Sequence, residues 1–323
     1  MNELPLILRL GTRGSLLART QSQMIADLLA AHLPVGEGHS IELVTITTSG
    51  DRQQGGRLQD SGGKGLFVKE IDEALVAGRV DFAVHSAKDL PMERPAELVI
   101  ACTPKREDPR DVWVGREGVS IEALPAGAIV GTASLRRQSQ LLSWRPDLMV
   151  APLRGNIDTR LKKVAAGVDG ISGTFLAAAG LIRAGLVPAH GVFLPVEKYV
   201  PAAGQGTLAI EARVGNLAIR ALLEKIHDAA TAACLEFERA IVKALAGSCL
   251  APMGVCAQPR EKEAGWILRA LVASPDGKAA ARCALMEASG DAAALQGLQP
   301  LMVETLRRRG AMEILAALPE ESV

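Results

Sequence analysis

The chain of 323 residues balances 36 Lys and Arg against 36 Asp and Glu, is 48% hydrophobic, and has one Tyr and three Trp. It can bury a core without disulfides, and it has neither the basic field nor the aromatic platforms of a nucleic-acid binder, so any anion site must be local. Residues 4–8 are too short an apolar run for a signal peptide and no stretch approaches the ~18–20 apolar residues of a membrane span, so a cytoplasmic protein without a membrane partner is expected.

In chain order, residues 6–11 read as a short buried strand. Thr12-Arg13-Gly14-Ser15 follows, then a helix with Leu17, Met24, Ile25, Leu28 and Leu29 on one face. Residues 41–47 read as a strand that runs into a Gly-rich loop, 50–65, before a helix over 66–77 and a strand over 80–84. The string Val84-His85-Ser86-Ala87-Lys88-Asp89-Leu90-Pro91 therefore sits where a strand leaves the sheet, the edge at which open α/β sheets bind ligands.

After a polar, proline-punctuated segment, 104–116, the pattern restarts. A strand is expected over 128–131, caps at Thr132-Ala133-Ser134 and a helix from Leu135-Arg136-Arg137. A strand over 149–153 ends in Arg154-Gly155-Asn156, and the next helix carries Arg160 in its early turns. A Gly/Ala-rich segment, 170–185, and the turn Ala203-Gly204-Gln205-Gly206 close this half. From about residue 216 the character changes. A long helix over 229–246 leads into Gly247-Ser248-Cys249, strands over 266–273 and 279–286 flank a Ser274-Pro275-Asp276-Gly277 turn, and a helix spans 292–309. The fold class is α/β, two lobes plus a smaller α+β C-terminal domain. The expected domains are 1–104 with about 205–222 returning to it, 105–204, and 223–323.

Arg13, Arg136, Arg137, Arg154 and Arg160 share one context, the loop after a strand or the first turn of the next helix. Guanidinium there opposes the helix dipole unless an anion is bound, so the set points to a small ligand with several carboxylates or phosphates. The bland alternative is surface charge, or pairing with Asp51, Asp89 or Asp158. Gly62-Gly63-Lys64-Gly65 lacks P-loop spacing and reads equally well as a lid. His85 has no partner at metal-ligand spacing and reads as a structural histidine, and no metal is expected. Ser86 lacks a nucleophile elbow, which leaves Lys88 and Asp89 as the chemical candidates of their string. The five cysteines, Cys102, Cys234, Cys249, Cys256 and Cys283, are odd in number without Cys-x-x-Cys, so a disulfide framework or zinc knuckle is not indicated.

Together these strings resemble the porphobilinogen deaminase family over nearly the whole chain. The matching motifs are Thr12-Arg13-x-Ser15, Gly62-Gly63-Lys64-Gly65-Leu66-Phe67, Val84-His85-Ser86-x-Lys88-Asp89-x-Pro91, Arg106-Glu107-Asp108-Pro109-Arg110-Asp111, Gly131-Thr132-x-Ser134-Leu135-Arg136-Arg137, Leu153-Arg154-Gly155-Asn156 with Thr159-Arg160, Gly204-Gln205-Gly206 and Gly247-x-Cys249. The resemblance implies a monomeric transferase with two lobes like those of periplasmic binding proteins. It would condense four porphobilinogens head to tail, releasing ammonia, on one covalent dipyrromethane cofactor per chain. Cys249 matches the cysteine that holds the cofactor by a thioether, and Asp89 the catalytic aspartate, which would stabilise the cation left when ammonia departs. By the same resemblance, Lys88, Ser134, Arg136, Arg137, Gly204, Gln205 and Gly206 line the cofactor side and Arg154 and Arg160 lie near both cofactor and substrate. Arg13, Ser15, Gln21 and Lys64 face the incoming pyrrole.

Two departures from the family pattern stand out. Asp60 replaces a common lysine, and about three extra residues fall around Ile171-Ser172-Gly173, just before Arg183. The alternative reading is a cytosolic two-lobed binding module for a small polycarboxylate.

Overall fold

In the computed structural model, which describes residues 4–36, 38–52, 68–245, 251–260 and 262–318, the chain crosses three times between two units. One comprises residues 1–107 and 207–232, the other 108–206 and 233–323.

The first unit begins with β1 (Ile7–Thr12), helix α1 (Leu16–Ala30) and β2 (Ser40–Thr45). The short helix α2 (Ser49–Arg52), α3 (Lys69–Val76), β3 (Phe82–Ser86) and β4 (Leu98–Cys102) follow. The second unit opens with β5 (Asp111–Gly115), β6 (Ile129–Gly131), α4 (Leu135–Trp144), β7 (Met149–Ala151), α5 (Ile157–Ala165), β8 (Ile171–Ala177), α6 (Ala178–Arg183) and β9 (Val192–Phe193). The chain then returns to the first unit for β10 (Leu208–Arg213) and α7 (Leu217–Leu223), and α8 (Ala229–Leu245) leads back. The end of the second unit is a meander, β11 (Met253–Pro259), β12 (Trp266–Ala273) and β13 (Ala280–Glu287), with helices α9 (Ala292–Gly297), α10 (Gln299–Arg308) and α11 (Ala311–Ala316).

The two five-stranded sheets have the same layout of strand directions, although the antiparallel fourth strand comes last in the chain in one and first in the other. Their orders are β2-β1-β3-β10-β4 and β7-β6-β8-β5-β9, with three parallel strands and one antiparallel strand beside the third of them. In each, the chain leaves the first strand to one side and returns on the other, which opens a crevice at the carboxyl ends of the first and third parallel strands. That crevice lies between β1 and β3 in one sheet and between β6 and β8 in the other. These sheets and the three-stranded meander are the expected two α/β lobes and smaller α+β domain.

The cores follow from sequence pattern. Leu8 and Leu10 of β1, Phe82 of β3 and Ile210 of β10 are fully buried against Ile25 and Leu29 of α1. Trp113, Phe175 and Tyr199 form an aromatic column in the second sheet, with ring centroids 5.1 and 4.9 Å apart. Two expectations are corrected. The buried face of α1 is Gln21, Ser22, Ile25, Ala26 and Leu29, while Met24 and Leu28 are exposed. The helix expected over 292–309 is two helices, because Pro300 occupies the start of α10 and cannot continue α9.

Candidate functional site

Each unit contributes its own set of residues. In the first, Thr12 and Arg13 leave the end of β1 and Ser15 caps α1, its hydroxyl accepting from the Ala18 N–H at 3.3 Å. Gln21, 4% exposed, sits one turn into that helix, and its amide is in hydrogen-bond contact with the Ser86 hydroxyl at the end of β3. The loops after β1 and β3 are thus tied together at the crevice. Beyond Ser86 the chain makes one 3-10 turn over Ala87–Asp89, held by the Ala87 N–H donating to the Thr207 carbonyl at 3.0 Å. Lys88 is half-buried and Asp89 is exposed.

His85 lies directly behind this turn and is buried. Burial, with the positive charge of Arg94 adding to it, pushes its pKa down to about 3, and the charges of Asp89 and Arg13 also act on it. Arg13 and Asp89, far apart in sequence, thus both act electrostatically on one neutral imidazole. The Nε2 atom of that ring is 3.3 Å from Glu211 Oε2 but is not aligned for a proper hydrogen bond. His85 reads in the sequence as a structural histidine, and in the structure its buried Nε2 lacks an aligned hydrogen bond.

In the second unit the unanticipated residue is Asp111, at the first position of β5 and 0% exposed. Arg136 Nη1 donates to its Oδ2 at 2.7 Å, and Arg137 Nε and Nη2 donate to its Oδ1 at 3.1 and 2.7 Å. Burial alone would raise the pKa of Asp111, but the two guanidiniums overcome it and hold the carboxyl well below the usual range. The sequence offers Asp51, Asp89 and Asp158 as partners for the arginines; the carboxylate that takes this pair is Asp111. Both arginines are nearly as buried, at 5% and 7% exposure, so the trio carries one net positive charge inside the protein.

The turn Gly204-Gln205-Gly206 attaches to the same carboxylate. Both glycines have positive φ, +72° and +88°, which a side chain would resist. Gln205 donates its amide to the Pro109 carbonyl at 2.7 Å and to Asp111 Oδ1 at 3.2 Å. Glu238 of α8, fully buried, accepts from the Gly204 N–H at 2.6 Å and from the Ala257 N–H at 2.8 Å. Arg183 Nη2 donates to the Gly206 carbonyl at 2.7 Å. The β12–β13 turn rests on α4 itself: Gln138 donates to the Pro275 carbonyl at 3.1 Å, and Gly277, at φ +73°, leaves no room for a Cβ beside the Ser143 nitrogen. Ser134 precedes α4 without capping it, and Arg154 and Arg160 are half-buried, the latter donating to the Gly155 carbonyl at 2.7 Å.

Lys64, Asp60 and Cys249 lie outside the described residues. The remaining thiols, Cys102, Cys234, Cys256 and Cys283, are buried, and burial pushes the Cys102 thiol up to about 12. Among the described residues no group of three or more His, Cys, Asp or Glu could hold a metal ion, and no helix is long and apolar enough to cross a membrane.

Residues 8–221 match the porphobilinogen deaminase dipyrromethane cofactor binding domain, and residues 232–299 match the C-terminal domain of the same enzymes. The chain belongs to the porphobilinogen deaminase family. Porphobilinogen deaminase of Alkaliphilus metalliredigens is 42% identical over 95% of this chain and 94% of its own. That of Brevibacillus brevis is 43% identical over 97% and 98%, and that of Sorangium cellulosum 48% identical over 85% and 89%. Both the N-terminal match, which spans the two sheets, and the full-length relatives place the whole chain in the porphobilinogen deaminase family, so the alternative of a polycarboxylate carrier is set aside.

Proposed function

We propose a division of labour among these residues in the family's reaction. That reaction, which this chain performs as a transferase, joins four porphobilinogens head to tail with loss of ammonia on a covalent dipyrromethane primer. The observation that carries the assignment of the cofactor side is the trio of Asp111, Arg136 and Arg137. Its one net positive charge, enclosed by protein, suits an anionic guest and would be costly to keep without one.

The donor set therefore fits a polycarboxylate such as the dipyrromethane. Arg136 and Arg137, with Ser134, Arg154, Arg160, Lys88 and the Gly204-Gln205-Gly206 turn, would hold its carboxylates, and Cys249 would hold it covalently. A thiolate is the natural nucleophile for an electrophilic methylene-pyrrole. When bound, the group supplies the pyrrole position at which each new bond forms. Asp111 orients the two guanidiniums, and Gln205 in turn fixes Asp111.

On the other side, Arg13, Ser15, Gln21 and Lys64 receive the incoming porphobilinogen, with Arg154 and Arg160 near both. Arg13 offers charge to its carboxylates, and Gln21 acts through Ser86 to set the spacing of the two loops. Asp89, exposed at the end of its turn, is the carboxylate that stabilises the positive charge developing on the pyrrole as ammonia leaves, and it assists the proton transfers. We take residues 223–323 as the domain that carries the cofactor cysteine.

The intact mass of the denatured holoenzyme tests the cofactor assignment. An excess of two pyrrole units, absent from Cys249→Ala, is expected, and a native enzyme without the adduct refutes it. Asp89→Asn should retain the adduct and lose turnover by at least a hundredfold; near-normal turnover removes Asp89 from the catalytic role.

A further inference from the structure

Behind the Asp89 turn runs a line of buried charge that the reaction does not use directly. Glu211 of β10 is fully buried and sits where the register between β10 and β4 shifts, a bulge that re-aims a side chain. Because Glu211 pairs with Ala83 and His85 pairs with Ala209, Glu211 and His85 are diagonal neighbours on one face of the sheet. Arg94 comes from the loop just after the turn. Its Nε donates to Glu211 Oε1 at 2.8 Å and its Nη2 to Oε2 at 2.6 Å, a two-pronged grip on the carboxylate. The same Nη2 reaches Asp72 of α3 at 2.5 Å. Asp72 and Arg94 form part of the wall of a cavity of about 550 Å³ lined also by Val68, Val76 and Pro91. Water can reach this end of the line; the other end, at His85, is closed.

Two groups compete to neutralise Glu211, and only one is needed. A guanidinium from Arg94 does so permanently. Were it missing, a proton on His85, 3.3 Å away, would be the nearest substitute. The second choice would place an imidazolium next to Asp89, partly cancelling the negative charge that the departing ammonia calls on.

We propose that Arg94 is a positioning residue for the reaction: by neutralising Glu211 it leaves the imidazole of His85 uncharged, so that Asp89 keeps its full attraction for the cation formed at the pyrrole. This rests on Asp89 being the catalytic carboxylate. Among the described residues, the charged groups around the imidazole are Glu211 on β10, 3.3 Å from the ring, and Arg94 in the following loop, Asp89 in the turn and Arg13 after β1, whose charges act on it, with Asp72 on α3 behind Arg94.

The test follows the imidazole nitrogens by NMR in holoenzyme labelled at histidine, together with steady-state kinetics. In the wild type, His85 stays neutral from pH 8 down to pH 5. In Arg94→Met it becomes charged within the range of about pH 5 to 8, as expected for a histidine facing a lone carboxylate, and kcat falls about tenfold or more with KM little changed, since the loss is felt in the transition state. Arg94→Lys keeps a cation and restores a neutral ring. Arg94→Met combined with Glu211→Gln removes both charges and also restores it, with kcat above that of Arg94→Met alone; this pair still folds if the single variant, left with an uncompensated buried carboxylate, does not. An imidazolium at His85 in the wild type at pH 6, a neutral ring in folded Arg94→Met, or a charged ring in the double variant overturns the charge assignment. A charged ring with unchanged kcat overturns the positioning role. The ring readout needs no turnover, so it stands apart from the Asp89→Asn test of the catalytic carboxylate itself.

Discussion

Replacing Asp111 by Asn removes one negative charge from between two buried guanidiniums while keeping the shape of the side chain. Three donor atoms of Arg136 and Arg137 converge on that carboxylate, and Asn would turn an N–H₂ toward at least one of them. Breaking a buried pair from one side costs about 3–5 kcal/mol, most of it the penalty of the charge left behind. With a urea dependence of roughly 2 kcal/mol per molar, the unfolding midpoint should fall by about 1.5–2.5 M. The assay is selective by composition: the three tryptophans, Trp113, Trp144 and Trp266, all belong to the second unit, so their fluorescence reports its unfolding alone. A Cys249→Ala background keeps the bound group out of the comparison. The pH dependence has a fixed sign. Because the pKa of Asp111 is depressed in the folded state, its contribution is fully present above the unfolded value near 3.8 and is lost as pH falls below it, so the gap between Asp111 and Asn variants should close in acid. A midpoint within about 0.5 M of the parent at pH 7 would refute the reasoning.

Asp72 carries the opposite sign. Burial raises its pKa to about 6, against the pull of Arg94, so the folded state binds a proton that the unfolded chain does not between about pH 4 and 6. Stability from this group is therefore lost as pH rises through that window, by roughly 3 kcal/mol at most. Asp72→Asn should be more stable than wild type at pH 8 and level with it at pH 4, read from thermal midpoints. Gly277→Ala would both strain a positive φ and press a methyl group into the α4 backbone, and a loss of about 2 kcal/mol or more in the second unit is expected from the tryptophan signal. Rapid alkylation of the native holoenzyme should spare Cys102, Cys234, Cys256 and Cys283, all buried, while the cofactor-free form gains one reactive thiol at Cys249. Fast labelling at any of the four contradicts their burial.

The local grammar of the chain was readable. Alternating strand and helix signals found both α/β lobes, and Ser15 and the Arg154-Gly155-Asn156 string marked strand exits where arginines stand. What escaped was set by pairing across long stretches of sequence. Asp111 reads in the sequence as part of a polar linker because the strand it opens, Asp111–Gly115, is buried on both faces and shows no alternation. The adjacent cations Arg136-Arg137 were the available signal, since two buried guanidiniums require a carboxylate somewhere, but composition cannot say which. Glu211 and Arg94 left no trace at all: their meaning arises only when β10 is laid beside β3. The wrong face on α1 has a similar cause, because Gln21 turns inward to meet Ser86, 65 positions away. The break at Pro300, by contrast, was written in the sequence and could have been read there.

The place of β10 has a consequence for how the protein is made. The strand lies between β3 and β4, yet it is translated after the entire second sheet, more than a hundred residues later than its neighbours. A nascent chain that has emerged only as far as residue 206 holds a first sheet with a gap in its interior, two unpaired strand edges facing each other and Arg94 without Glu211. The second sheet meets no such delay, having all five of its strands within residues 111–193. Order of synthesis thus runs against order of completion: the N-terminal lobe, first off the ribosome, closes only when its last strand arrives, and that late insertion is the step at which the Ala87–Asp89 turn acquires its finished surroundings.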